Sequence, residues 1–270
     1  DDYRGSFQCD DPDRAEKFAA LTDRALASVE ARGGRIAGFI AETFPSVGGQ
    51  IIPPGGYLAG VYKRIRGAGG ICIADEVQTG LGRLGDYYFG FEQQGVVPDI
   101  VVLGKPIGNG HPLGVVVTTR AIADSFAQGP EYFSTFGGSN LSCRIGKEVL
   151  DIVDEEGLME NARRRGAQLI NGLKDLQKTH DIIGDVRGHG LFIGVDLVED
   201  RSTRSEATEV ASYVINRMRE HRILLGREGP KDNILKIRPP LTIEEDDVDM
   251  ILVIMGQVLE EVDVLRQLNH

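Results

Sequence analysis

The stretch Ile71-Cys72-Ile73-Ala74-Asp75-Glu76-Val77-Gln78-Thr79-Gly80, with Val101-Val102-Leu103-Gly104-Lys105-Pro106 downstream of it, decides the fold. Each opens as a short apolar run and closes on a charged residue that a core would not choose. An apolar run of this length, rich in Val and Ile, reads as a strand buried in a parallel sheet. In open α/β sheets, ligands bind beyond the carboxyl ends of the strands. Asp75 and Lys105 are therefore expected to reach one ligand crevice from two strands.

The chain on either side alternates in the same way. Residues 13–32 carry Phe18, Ala19, Leu21, Ala25, Leu26 and Val29 at near-helical spacing. Residues 36–41 read as a strand that ends at Glu42, 53–56 as a turn and 57–68 as a helix. Residues 81–98 form a long glycine-rich loop, and 115–118 a further strand able to pair antiparallel. Strands alternating with helices argue for an α/β fold. The pattern changes near residue 150. Residues 143–176 read as helical, and short strands follow at 182–187, 191–197, 223–225 and 234–237. Helices are expected at about 207–221 and 244–265. The organisation expected is part of a large domain with a mixed or parallel sheet (1–150) and a smaller α+β domain (151–270).

Composition narrows the function classes. The 270 residues are 41% hydrophobic and 26% charged, which suits a soluble globule. A formal net charge of −11 argues against nucleic acid and anionic membrane as partners, because both need a basic face. No segment approaches the ~18 continuous apolar residues of a membrane span. Cys9, Cys72 and Cys143 are scattered and make neither a disulfide framework nor a zinc motif, so a reducing cytoplasm is the expected compartment. The five histidines have no metal-ligand spacing, and no metal is expected. The chain begins Asp1-Asp2-Tyr3-Arg4, without a start methionine or a signal-peptide pattern, and reads as starting in mid-chain.

Several residues carry chemistry. Lys105 follows a buried strand and is surrounded by Gly104, Gly108 and Gly110, and Pro106 is expected to hold its backbone extended. The alternative is a solvated loop lysine. Asp75 is costly to bury unless it is paired or hydrogen-bonded, or it caps a following helix. Glu76 should face the other way, either solvated or structurally paired. Gln78 lies close enough to donate to a ligand oxygen. Thr135, in Ser134-Thr135-Phe136-Gly137-Gly138-Ser139-Asn140, is expected to open a helix, where a hydroxyl beside glycines is either an N-cap or a phosphate donor. Lys236 and Arg238 are expected on one side of a late strand, where the Arg fork would bind a carboxylate or form a surface ion pair. An Asp and a Lys converging on one crevice are the pair that pyridoxal 5′-phosphate (PLP) chemistry needs, the Lys as Schiff-base former and the Asp as partner of the pyridine nitrogen.

The order of these pieces resembles the class III aminotransferases, PLP enzymes of fold type I. The resemblance rests on Ala-Asp-Glu-Val-Gln-Thr-Gly-Leu-Gly-Arg (74–83), Pro-Asp-Ile-Val-Val-Leu-Gly-Lys-Pro (98–106) and Thr-Phe-Gly-Gly-Ser-Asn (135–140). Val-Arg-Gly-His-Gly-Leu-Phe-Ile-Gly-Val (186–195) and Leu-Lys-Ile-Arg-Pro-Pro-Leu (235–241) extend it. It implies that Lys105 is the Schiff-base lysine, that Asp75 is the pyridinium partner and that Gln78 lies by the cofactor's phenolic oxygen. It implies Glu42 on the substrate side, and Thr135 on the phosphate of a neighbouring subunit's cofactor in a homodimer. The implied reaction moves an amino group between a small amine or amino acid and an oxo acid or aldehyde. The details look most like the branch with alanine–glyoxylate-type aminotransferases and amino-alcohol-phosphate phospho-lyases. The family's carboxylate arginine falls on Lys236, with Arg238 two residues on, which gives weight to phosphate elimination. A third expectation is a fragment without the N-terminal part of the cofactor cup, which would not catalyse alone.

Overall fold

The computed structural model describes residues 1–268 and holds two sheets. The first is built from β1 (Gly38–Glu42), β2 (Ile71–Asp75), β3 (Ile100–Leu103) and β4 (Val115–Thr118), in that order. Strands β1, β2 and β3 are parallel and β4 is antiparallel to β3, as the sequence leads one to expect. Helix α1 (Arg14–Ala31) packs on α2 (Tyr57–Gly67), which crosses over between β1 and β2. Its Leu58, Val61, Tyr62 and Ile65 share one face at helical spacing and bury against Cys72 and Ala19. The loop after β2 holds a four-residue helix, α3 (Gly90–Gln93), which the sequence reading leaves as loop. A 3₁₀ turn (Lys105–Gly108) follows β3, and α4 (Arg120–Ala127) follows β4.

The expected helical run 143–176 is two helices, α5 (Asn140–Glu155) and α6 (Leu158–Thr179). Gly157 between them sits at φ +62°, where the helix cannot continue. Hydrophobic spacing reports which side is buried and is blind to one left-handed residue.

The second sheet runs β5 (Ile183–His189), β6 (Phe192–Asp200), β9 (Ile234–Ile237) and β8 (Gly226–Glu228), all antiparallel, with the short β7 (Ser205–Glu206) against β6. Phe192 through Val198 are all buried, so β6 is covered on both faces. Helices α6, α7 (Thr208–Glu220) and α8 (Glu245–Leu268) bring Leu169 and Leu173, Val214 and Met218, and Ile251, Met255 and Val258 into the core on this sheet. The strand expected at 223–225 lies three residues later. Ile223 is buried as a loop residue, and the ladder is set by Gly226 opposite Lys236. Apolar character there reflects packing, not pairing.

Candidate active site

The parallel register gathers the sequence-predicted residues at one edge. Glu42 is the Cα partner of Asp75, and Asp75 is the partner of Val102, three residues before Lys105. Glu42, Asp75 and Lys105 thus close three neighbouring strands at their carboxyl ends. Asp75 Oδ1 accepts the Val77 N–H at 3.0 Å, while Oδ2 has no hydrogen-bond partner among the described residues. Glu42 Oε2 accepts the Ser46 N–H at 2.7 Å. Lys105 has neither an ion pair nor a hydrogen bond from its side chain among the described residues, and it is exposed. Its backbone is not extended as expected: φ is +37°, and Ile107 N donates to Gly104 O at 3.1 Å to close the turn. Buried Ile107, packed with Leu81 and Leu103, holds the turn against any preference imposed by Pro106. A non-glycine residue in this region is strained, and such strain concentrates at functional positions.

Glu76 is the structurally paired residue, sealed at 1% exposure. Its Oε1 accepts from Thr43 Oγ1 at 2.6 Å and Phe91 N at 2.9 Å. Its Oε2 accepts from Thr79 Oγ1 at 2.5 Å and Gly90 N at 2.8 Å. Burial pushes its carboxyl up, and the four donors work against that push.

Gln78 is brought to Arg238 from 160 residues away. Arg238 Nη2 donates to the Gln78 main-chain oxygen at 2.8 Å, and Nη1 donates to its Oε1. The amide Nε2 of Gln78 is left to donate elsewhere. Arg238 Nε is buried without a partner, and burial lowers this guanidinium to about 10, with Glu42 the carboxylate that opposes the shift. Lys236 does not join it. It lies in β9 and pairs with Glu228 of β8 at 2.7 Å, whereas Arg238 lies past the strand end, where the chain turns toward the first sheet.

Sequence reasoning missed Arg83. Its Nη1 donates to Leu191 O at 3.1 Å and Pro239 O at 3.0 Å, with no carboxylate within ion-pair distance among the described residues. Burial, and then the charge of Arg238, lower it to about 9, so both guanidiniums remain cations at neutral pH. The signal available in the sequence was an arginine wedged between Gly82 and Leu84 in a loop leaving a buried strand.

Thr135 does not open a helix. Helix α5 begins at Asn140, and Thr135 lies in the preceding loop, exposed, without a hydrogen bond among the described residues. Ser134 Oγ instead accepts from Gly137 N at 3.0 Å and forms the local turn. Tyr132, Phe133 and Phe136 around it are 71%, 80% and 85% exposed.

Among the described residues no cluster of His, Cys, Asp and Glu is suited to a metal, and no helix is long and apolar enough to cross a membrane. The family model for class-III aminotransferases matches residues 6–259, and the chain belongs to that family. It is 45% identical over 257 residues to an alanine–glyoxylate aminotransferase 2-like protein of Drosophila melanogaster, covering 93% of this chain and 52% of that one. It is 43% identical over 237 residues to an ethanolamine-phosphate phospho-lyase homologue of Caenorhabditis elegans, covering 87% of this chain and 51% of that one. The fold superposes on a phospholyase from Arthrobacter solved with phosphoethanolamine, at TM-score 0.91 and 38% identity, over 96% of this chain and 62% of that one. The mixed α/β fold is that of fold-type-I transaminases. The chain spans about half the length of the curated relatives it matches.

Proposed function

We propose that this class-III aminotransferase chain carries the lysine-bearing half of a PLP enzyme that acts on small anionic amines. The observation that carries the reading is the pair of neighbouring strand ends holding Asp75, with an open carboxylate oxygen, and Lys105, with an unpaired ammonium. That donor set fits the cofactor. When bound, PLP supplies an aldehyde for attachment and a ring that draws electrons from the carbon bearing the substrate nitrogen. Lys105 would hold it through its side-chain nitrogen and would move the proton at that carbon. Asp75 Oδ2 would keep the ring nitrogen protonated. Gln78 Nε2 would donate to the ring's phenolic oxygen. Arg238, beside Glu42, would receive the anionic end of the substrate.

The leading reaction is transfer of an amino group from an amine or amino acid to an oxo acid or aldehyde. Phosphate elimination from an amino-alcohol phosphate is the second reading. In it a proton leaves the nitrogen-bearing carbon, and the C–O bond to phosphate breaks on the adjacent one. Arg83 and Arg238, two half-buried cations without a carboxylate ion pair among the described residues, favour it, as does Lys236 being engaged by Glu228. Full-length protein supplied with phosphoethanolamine separates the two. Phosphate release without an oxo acceptor selects elimination, and amino transfer that requires an acceptor selects the transaminase. Borohydride reduction of the holoprotein followed by peptide mapping tests the common core. A label on any lysine other than Lys105 overturns it. If this half alone holds no cofactor, the reading as a non-catalytic part applies to the chain by itself.

A homodimer with shared sites belongs to the same proposal. The exposed Tyr132, Phe133 and Phe136 make an apolar patch of the kind that protein contacts cover, with Thr135 among them facing the partner's cofactor phosphate. Mixed dimers of Thr135→Ala and Lys105→Ala chains should regain activity, because one of the two sites is then intact. We divide the chain at residue 150, within α5, into the two sheet-centred domains. The three unpaired cysteines support the cytoplasm as compartment.

A further inference from the structure

We propose that Glu76 is the positioning residue of the active site: a buried carboxyl that fixes Glu42, Asp75 and Gln78 together without touching substrate or cofactor. The proposal rests on the reading of those three residues as substrate- and cofactor-facing. Glu76 follows Asp75 directly. Two of its four donors are Thr43, next to Glu42, and Thr79, next to Gln78. The other two are the Gly90 and Phe91 amides that open α3. One side chain thus ties the ends of β1 and β2 to the loop before Arg83, and each of the three functional residues is one position from a group in the cluster.

The cluster fits a carboxyl group and rejects its carboxamide isostere. The two backbone N–H groups donate to different oxygens, Gly90 to Oε2 and Phe91 to Oε1. A backbone N–H cannot accept or rotate. In Glu76→Gln, either flip of the amide sets an NH₂ against one of these N–H groups. The threonine hydroxyls can turn to suit either partner, so the two backbone amides make the site selective for a carboxyl group over a carboxamide. Glu76 is sealed from solvent and its four partners are all protein donors, so it acts through its neighbours.

The test uses the full-length protein with Glu76→Gln and, separately, the double variant Thr43→Val/Thr79→Val, which keeps both backbone donors. Hydrogen exchange is followed with and without PLP, alongside PLP affinity, kcat and KM. The expected result for Glu76→Gln is faster exchange confined to residues 42–46, 75–80 and 88–92, with the second sheet unchanged. A fall in kcat of roughly 100-fold should accompany it, the scale of an ångström of misplacement. The double variant should change the same segments less, with kcat down on the order of 10-fold. If Glu76→Gln fails to fold, the double variant decides. Exchange at these segments equal to wild type, or loosening spread evenly over both sheets, overturns the proposal whether or not PLP binds. Failure of wild-type protein to carry PLP on Lys105 overturns the functional reading instead, and the exchange result still decides the role of Glu76 in holding the strand ends.

Discussion

Arg238 Nη2 donates to the main-chain oxygen of Gln78 at 2.8 Å, and this bond joins the end of a strand in the second sheet to the turn after β2 in the first. The guanidinium also holds the Gln78 side chain, so an anion arriving at Arg238 competes with a residue assigned to the cofactor. Occupancy of the substrate end and orientation of the Gln78 amide are therefore linked.

Replacing Arg238 by Ala should raise KM for an anionic amine by about 10- to 100-fold, the scale of a charge-assisted hydrogen bond at ~1.5–3 kcal/mol. Arg238→Lys should recover only part of this, since an ammonium lacks the two-pronged fork. A neutral amine should be affected far less. Steady-state kinetics with a matched anionic and neutral pair checks it, and equal losses for both would remove Arg238 from anion recognition.

Asp75→Asn should fold normally, because the Asn side-chain oxygen can still accept the Val77 N–H. An amide does not hold a proton on a pyridine nitrogen as a carboxylate does, so turnover should fall by orders of magnitude while PLP is still retained. Absorbance of the bound cofactor and kcat report the two halves of this expectation. Near-normal turnover would show that Asp75 is not the ring partner.

The parts legible in the sequence were those where burial writes a pattern. Ile71–Ala74 and Val101–Leu103 announced two buried strands, and their charged ends marked the edge where Glu42, Asp75 and Lys105 gather. The parts that were not legible depend on direction. Lys236 and Arg238 share the parity of one strand, yet Glu228, diagonally across on β8, captures the first, and the turn beyond β9 carries the second to Gln78. Thr135 beside two glycines resembles a helix start, but the turn uses Ser134 and the helix waits for Asn140. Glu76 differs from any solvated glutamate only through four donors, two of them backbone amides 14 and 15 residues away. No local spacing encodes them.

Acid should loosen the α7–α8 contact in a defined window. Arg217 donates to both oxygens of Glu261 at 2.7 Å, and Tyr213 Oη donates at 2.8 Å. Arg217 first, and Tyr213 second, hold the Glu261 carboxyl down at about 2, against an ordinary 4.5. A carboxyl lowered on folding contributes stability that is present above the unfolded value and lost as pH falls through the folded one. The stability difference between wild type and Glu261→Gln should therefore be constant near neutrality and shrink between about 4.5 and about 2. The group is partly exposed to solvent, which screens the pair, so the difference should be small. Urea midpoints measured along that range check it, and a gap that widens with acid would contradict the assignment.

Gly166→Ala should destabilise the protein, against the usual sign for such a change in a helix. Glycine inside a helix costs about 1 kcal/mol relative to alanine, so the substitution is ordinarily favourable. Here a Cβ on Gly166 of α6 would lie 2.2 Å from the oxygen of Gly190 and 2.3 Å from its carbonyl carbon. Gly190 cannot retreat, because its own Cα already faces the backbone of Arg83 and Leu84 closely enough that a Cβ there would come within 2.5 Å of both. Moving the turn would also stretch the bond from Leu191 N to Arg83 O, now 3.0 Å. Three backbone segments are stacked with no side chain between them, and overpacking at such a point costs roughly 1–3 kcal/mol. Gly172→Ala, two turns along the same helix, is the internal control. The nearest atoms its Cβ would meet are the branched end of Leu252, at 2.3 Å, and that side chain can turn aside. Urea midpoints of the two variants should therefore separate, with Gly166→Ala clearly below wild type and Gly172→Ala close to it. A Gly166→Ala protein as stable as wild type would mean that α6 and the β5–β6 turn are not in contact as described.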